Sequence, residues 1–137
     1  MLFNQVVGLE GIKSKLRQMV ENNRLSHAIL LTAADGAGAL PLALAFAQYM
    51  VCEKVIRRQE APDLSTQTTG IEEEQLPTDS CGVCASCVKA AKLIHPDIHF
   101  SFPVISKKNN DKPVSADFID EWREFISRYP YGNLYDW

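Results

Sequence analysis

Thr32-Ala33-Ala34-Asp35-Gly36-Ala37-Gly38-Ala39-Leu40-Pro41 decides how this chain is read, because it joins the apolar run His27-Ala28-Ile29-Leu30-Leu31 to the helix-like run Leu42 to Ala47. Strand, glycine turn and helix in that order is the layout of a phosphate-binding loop. A working loop reads Gly-x-x-x-x-Gly-Lys-[Ser/Thr]: backbone N–H groups cradle the phosphates, the lysine reaches the β and γ phosphates, and the hydroxyl holds magnesium. The matching residues here are Ala33 to Leu40. Gly38 keeps the second glycine and Gly36 lies inside the loop, but the first glycine, the lysine and the hydroxyl residue are Ala33, Ala39 and Leu40. Pro41 removes an N–H from the helix start, and Asp35 adds a negative charge. Phosphoryl transfer rests almost wholly on positioning and charge stabilisation, so this loop is predicted not to hydrolyse ATP and no catalytic residue is assigned. Taken alone, a glycine turn after an apolar run is also an ordinary strand-to-helix turn.

On the N-terminal side, Ile12, Leu16, Met19 and Val20 recur at helical spacing, so Leu9 to Asn23 is predicted to be an amphipathic helix ended by Asn22-Asn23. His27 to Thr32 then reads as a short strand buried on both faces of a parallel sheet, with His27 a hydrogen-bonded structural residue. On the C-terminal side, Ala39 to Val51 is apolar almost all round, as in a helix tucked against a sheet, and Pro41 fits its first turn. Gln59 to Asp79 holds six acids and no Lys or Arg, with hardly any large apolar residue; from Glu60 to Ser80 it reads as a mobile polar loop. Cys87 to Leu93 forms a short helix, and Ile98-His99-Phe100-Ser101-Phe102 alternates as a strand closed by Pro103. The stretch from Ser106 to Pro113 is a loop, its Lys107-Lys108 read as solvated charges. Ser115 or Asp117 caps a last helix with Phe118, Ile119, Trp122, Phe125 and Ile126 on one face. Strands alternating with helices point to an α/β fold, and two strands leave edges and faces that predict association between copies.

The chain has 137 residues, 46% apolar, a formal charge of −3 and no run of eighteen apolar residues. The N-terminus lacks the order of a secretory signal, so the expectation is a cytoplasmic protein with no membrane partner. Outside the acidic stretch the balance is only mildly basic, which does not by itself indicate nucleic-acid binding.

Four cysteines remain: Cys52 at the end of the second helix, and Cys81, Cys84 and Cys87 in Cys-Gly-Val-Cys-Ala-Ser-Cys. Two residues between cysteines let both thiolates reach one metal, and four thiolates complete a tetrahedral shell, so a structural zinc ion is the favoured reading. A closed shell leaves no position for water, hence no metal chemistry. The same spacing serves iron–sulfur clusters, although the Cys-Pro that continues their best-known version is missing, and free or oxidised thiols stay open. His95 and His99 lie near enough in sequence to be considered, but four thiols already suffice.

Read together, "VVGLEGIKSKL", "RLSHAILLTAADGAG" and "SCGVCASCVKAAKLIHPDIHF" resemble, in order, the opening segment, the phosphate-loop strand and the inserted zinc module of bacterial clamp-loader AAA+ subunits. The resemblance covers about the first hundred residues, and Cys52 falls where that family has its first zinc cysteine. It implies a truncated P-loop/AAA+ (Rossmann-like) α/β domain over 1–137, with a four-cysteine zinc module inserted at 52–95 around a mobile loop at about 59–80. The Walker B strand, arginine-finger segment, lid and collar domain have no counterpart before Trp137. The lost lysine implies a non-hydrolysing member of the ring. Such a member is a scaffold beside the gamma/tau ATPase subunits and delta, and indirectly beside the sliding clamp and primed DNA. The competing readings are a gamma-type ATPase, against which the joint loss of lysine and hydroxyl counts, and a nucleic-acid-binding zinc module, which Lys89 and Lys92 support only weakly. A thiol redox catalyst would need an exposed thiolate of low pKa.

Overall fold

The computed structural model describes residues 1–60, 77–106 and 112–137. Within them lie α1 (Glu10–Glu21), α2 (Ala39–Met50), α3 (Glu53–Glu60), α4 (Ala85–Ala91) and α5 (Ile119–Arg128), with 3-10 turns at Phe3–Gln5 and Ser115–Phe118. The polar loop read at about 59–80 falls largely on 61–76, and Lys107-Lys108 on 107–111, outside the described residues.

In α1 the helical spacing buries Leu16 and Val20 and half-buries Met19, whereas Ile12 is 43% exposed and Lys13 takes a buried place instead. Lys13 is held there because its Nζ donates to the Val6 carbonyl and to Glu10 Oε1, each at 2.7 Å. Asn23 adopts φ +50 and the Arg24 N–H returns to the Met19 carbonyl at 2.9 Å, closing the helix where the paired asparagines were read to end it.

α2 is the central element, apolar on nearly every side because it serves two clusters. Leu42, Ala45, Phe46 and Tyr49 join Phe3, Val6, Leu16, Val20 and Val55, together with Cys52 and Cys87, in one buried core. Leu40 and Leu44 instead pack against a second core of Phe102, Trp122, Phe125 and Ile126. The second core is aromatic: Phe102 stacks on Trp122 with centroids 4.3 Å apart and planes at 10°, and Trp137 sits edge-on to both at 5.3 Å.

The α/β expectation is overturned. The described residues are helical and contain no strand, so this is not a Rossmann-like P-loop fold. A strand exists only by pairing, and His27 to Thr32 makes no backbone hydrogen bond among the described residues. Its side chains are exposed from His27 to Leu30, with Leu30 at 86%; Leu31 alone leans on the first core. His27 is therefore not the buried structural residue expected. The stretch Ile98 to Phe102 is likewise no strand, yet its alternation survives as one-sided packing: Phe100, Phe102 and Val104 turn toward the aromatic core while Ser101, Pro103 and Ile105 face outward. The Phe102 N–H and carbonyl are satisfied by Ser115 Oγ, at 3.0 and 2.8 Å, in place of a neighbouring strand. Ser115 is thereby diverted from capping α5, and Asp117 accepts from the Val114 N–H instead.

Candidate metal centre

The cysteine site is assembled from three pieces of local structure. α2 and α3 meet at a 57° bend, and Cys52 occupies it, its N–H reaching the Tyr49 carbonyl while its own carbonyl accepts from Ile56. Gly82, at φ +71, turns the chain back directly after Cys81, a conformation that disfavours a side chain. Cys84 then caps α4, its sulfur accepting from the Cys87 N–H at 3.4 Å, which places Cys87 in the first turn of that helix and fully buried against α2.

These turns bring all four sulfurs within 4.8 Å of one another, and the histidines stay out of the group. His95 is buried, but its Nδ1 accepts from the Asp97 N–H at 3.2 Å, and His99 is exposed. Four sulfurs at about 2.3 Å from a central zinc would lie about 3.8 Å apart. Cys81 and Cys87 Sγ are 3.9 Å apart, and all four cysteines are free of disulfides. Backbone N–H groups point at the sulfurs: Cys81 N–H at Cys52 Sγ (3.3 Å) and Cys84 N–H at Cys81 Sγ (3.4 Å), besides the Cys84 cap. Such donors favour thiolates, the form a metal needs. The donor set and its spacing are compatible with a structural metal ion.

The two ends of the group ionise differently. Burial pushes the Cys81 thiol up, but hydrogen bonds from the Val83 and Cys84 backbone and from the Cys84 and Cys52 thiols outweigh it and bring it down to about 6. Cys87 is raised, first by burial and then by its hydrogen bond with Cys84. In the metal-free chain Cys81 is thus the first thiolate of the two and Cys87 the last.

The glycine turn lies elsewhere and is built for packing. The Ala37 N–H bonds the Ala34 carbonyl, Gly36 and Gly38 sit at φ +74 and +92, and Ala33 to Ala37 are exposed. Gly38 is buried at the start of α2 beneath Tyr131, whose hydroxyl accepts from the Val7 N–H at 2.8 Å. A Cβ on Gly38 would come 3.2 Å from the Tyr131 ring. Leu40, at the hydroxyl position of the motif, turns into the aromatic core.

Sequence reasoning missed α3 and the polar braces around the site: Gln48 Nε2 to Ser80 Oγ at 3.0 Å, Tyr49 Oη to the Pro77 carbonyl at 2.9 Å, and the Asp79 carboxylate. A glutamine inside the apolar α2 was the available signal for the first. Nothing local marked Asp79.

Fold and site together define a helical chain in which four cysteines from separate segments cluster. A family model described as DNA polymerase III, delta subunit, matches residues 8–77, just over half of the chain, and the chain belongs to that family of clamp-loader-type subunits of DNA replication. No curated protein and no solved structure matches. The matched span includes Cys52 and the glycine turn and ends before the other three cysteines. No single helix among the described residues is long and apolar enough to cross a membrane.

Proposed function

We propose that this chain acts as a non-hydrolysing, delta-prime-type subunit of the bacterial clamp loader. It contributes a scaffold beside the gamma/tau ATPase subunits and delta, and through them serves the loading of the sliding clamp on primed DNA. Cys52, Cys81, Cys84 and Cys87 hold a structural zinc ion in this reading. The ion ties the α2–α3 bend to α4 and supplies no chemistry of its own, because four sulfurs close its shell.

The observation that carries the non-hydrolysing reading is the glycine turn. It lacks the lysine and the magnesium-binding hydroxyl, its buried glycine is covered by Tyr131, and Leu40 is committed to the core. Family membership supports the setting among clamp-loader subunits.

Titration of the protein with a fluorescent ATP analogue in magnesium, alongside a phosphate-release assay, tests this. The expected result is no saturable binding and no turnover, while mixing with the ATPase subunits gives a complex on size exclusion. Tight magnesium-dependent binding with turnover would overturn it.

A further inference from the structure

Asp79 stands two residues before Cys81, and its carboxylate is spent on the far end of the chain. Oδ1 accepts from the Phe3 N–H at 3.0 Å and the Ser80 N–H at 2.7 Å, and Oδ2 accepts from the Asn4 N–H at 2.9 Å. Phe3 and Asn4 open the first 3-10 turn, so their amides have no partner within it, and Asp79 caps that turn from across the fold. On the other side of Cys81, Gly82 lies against Leu2, where an added Cβ would sit 3.6 Å from its side chain. The loop that brings Cys81 to the other sulfurs therefore touches the N-terminal segment on both sides of that cysteine.

Residues 77–84 have no regular secondary structure, and their position depends on a few braces and on the sulfur cluster. We propose that Asp79 is a positioning residue that transmits metal occupancy at the four cysteines to the segment Met1–Val7. With the metal bound, Cys81 is fixed, Asp79 is held under the 3-10 turn, and the segment is docked. With the metal gone, the loop relaxes, the two capping bonds are lost, and the segment loosens. The same bracket shapes a cleft of about 560 Å³ between the N-terminal segment, α1 and the cysteine loop, lined by Asn4, Val7, Lys13, Arg17 and Asp79 among others. This inference rests on the metal reading above.

Hydrogen–deuterium exchange of the full chain, zinc-loaded and after chelation under reducing conditions, tests it, with metal content measured on each sample. Removing zinc is expected to speed exchange across Met1–Val7 about ten-fold or more, as for the loss of hydrogen bonds to a charged acceptor, and to leave α5 unchanged. Asp79→Ala is expected to give the same fast N-terminal exchange with zinc still bound, and Asp79→Asn, which keeps one oxygen, an intermediate rate. A chain that binds one zinc but exchanges this segment at the same rate with and without it overturns the inference and leaves the metal reading standing. A chain that takes up no zinc overturns both. Should Asp79→Ala also loosen α5, the wild-type comparison decides.

Discussion

Replacing Gly38 by alanine tests whether the glycine turn is a packing device. Gly38 has φ +92 and ψ +16, and an L-residue in the left-handed region costs roughly 1–2 kcal/mol. The new Cβ would stand 3.2 Å from Tyr131 Cε1 and 3.5 Å from Leu9 Cδ1, so the ring must retreat by a few tenths of an ångström. Tyr131 is not free to swing, because its hydroxyl holds the Val7 N–H at 2.8 Å; weakening that bond adds about 1 kcal/mol. The total is about 2–3 kcal/mol. Gly11→Ala is the opposite case: it lies in the first turn of α1 with nothing within 4 Å of the added carbon beyond the local helix backbone, and alanine is favoured there by about 0.5–1 kcal/mol. At about 4 °C per kcal/mol for a chain of this size, thermal denaturation followed by far-ultraviolet circular dichroism should show Gly38→Ala melting about 8–12 °C lower and Gly11→Ala about 2–4 °C higher. If Gly38→Ala melts with the wild type, or both variants shift the same way, Tyr131 does not lean on this turn and the packing argument fails.

In the zinc reading, Cys87→Ser should bring zinc from about one ion per chain to near zero and expose α4 to protease, because the missing thiolate is, like that of Cys52, fully buried; unchanged stoichiometry would refute a four-sulfur shell. Burial pushes the Tyr49 phenol up to about 12, so the fold favours its protonated form. That contribution is complete below about pH 10, the unfolded value, and is lost as pH rises toward 12. Tyr49→Phe, which removes the bond to the Pro77 carbonyl, should be about 1 kcal/mol less stable in urea at neutral pH, the gap closing near pH 12; a constant gap would contradict the burial. Phe102→Ala removes the ring stacked on Trp122 and should cost about 3–5 kcal/mol, with a red-shifted tryptophan emission; emission unchanged from wild type would mean that the aromatic core does not depend on the stack.

Most helices were legible because their signals are local. The spacing in α1, the unbroken apolarity of α2 and the Trp122-Phe125-Ile126 face of α5 are statements about neighbours three and four residues apart; α1 and α2 form within two residues of their expected bounds, whereas α5 begins at Ile119 behind a 3-10 turn and not under a Ser115 or Asp117 cap. α3 was hidden because Glu53 to Glu60 is almost wholly polar apart from Val55 and Ile56, and it is held by Val55 in the core and by Gln59 Nε2 on the Val20 carbonyl rather than by an apolar face. The two apolar runs read as strands were misread for the opposite reason. Composition marks a segment able to pair, but pairing requires a second segment at ladder distance, and no sequence window contains one.

Amino-acid order alone carries chemical identity and short-range order: three cysteines at ligand spacing with a fourth 29 residues before the first of them, a glycine turn stripped of lysine and hydroxyl, and helices where side chains repeat at helical intervals. The fold as a whole supplies the rest: the turns that bring Cys52, already expected as a ligand, within 4.8 Å of the sulfurs of Cys81, Cys84 and Cys87, the cover of Tyr131 over Gly38, and the Asp79 cap on a turn at the other end of the chain. Local propensity is set by bonds and contacts within a few residues, whereas closing loops of tens of residues is governed by which distant surfaces bury each other, and that choice belongs to the fold as a whole.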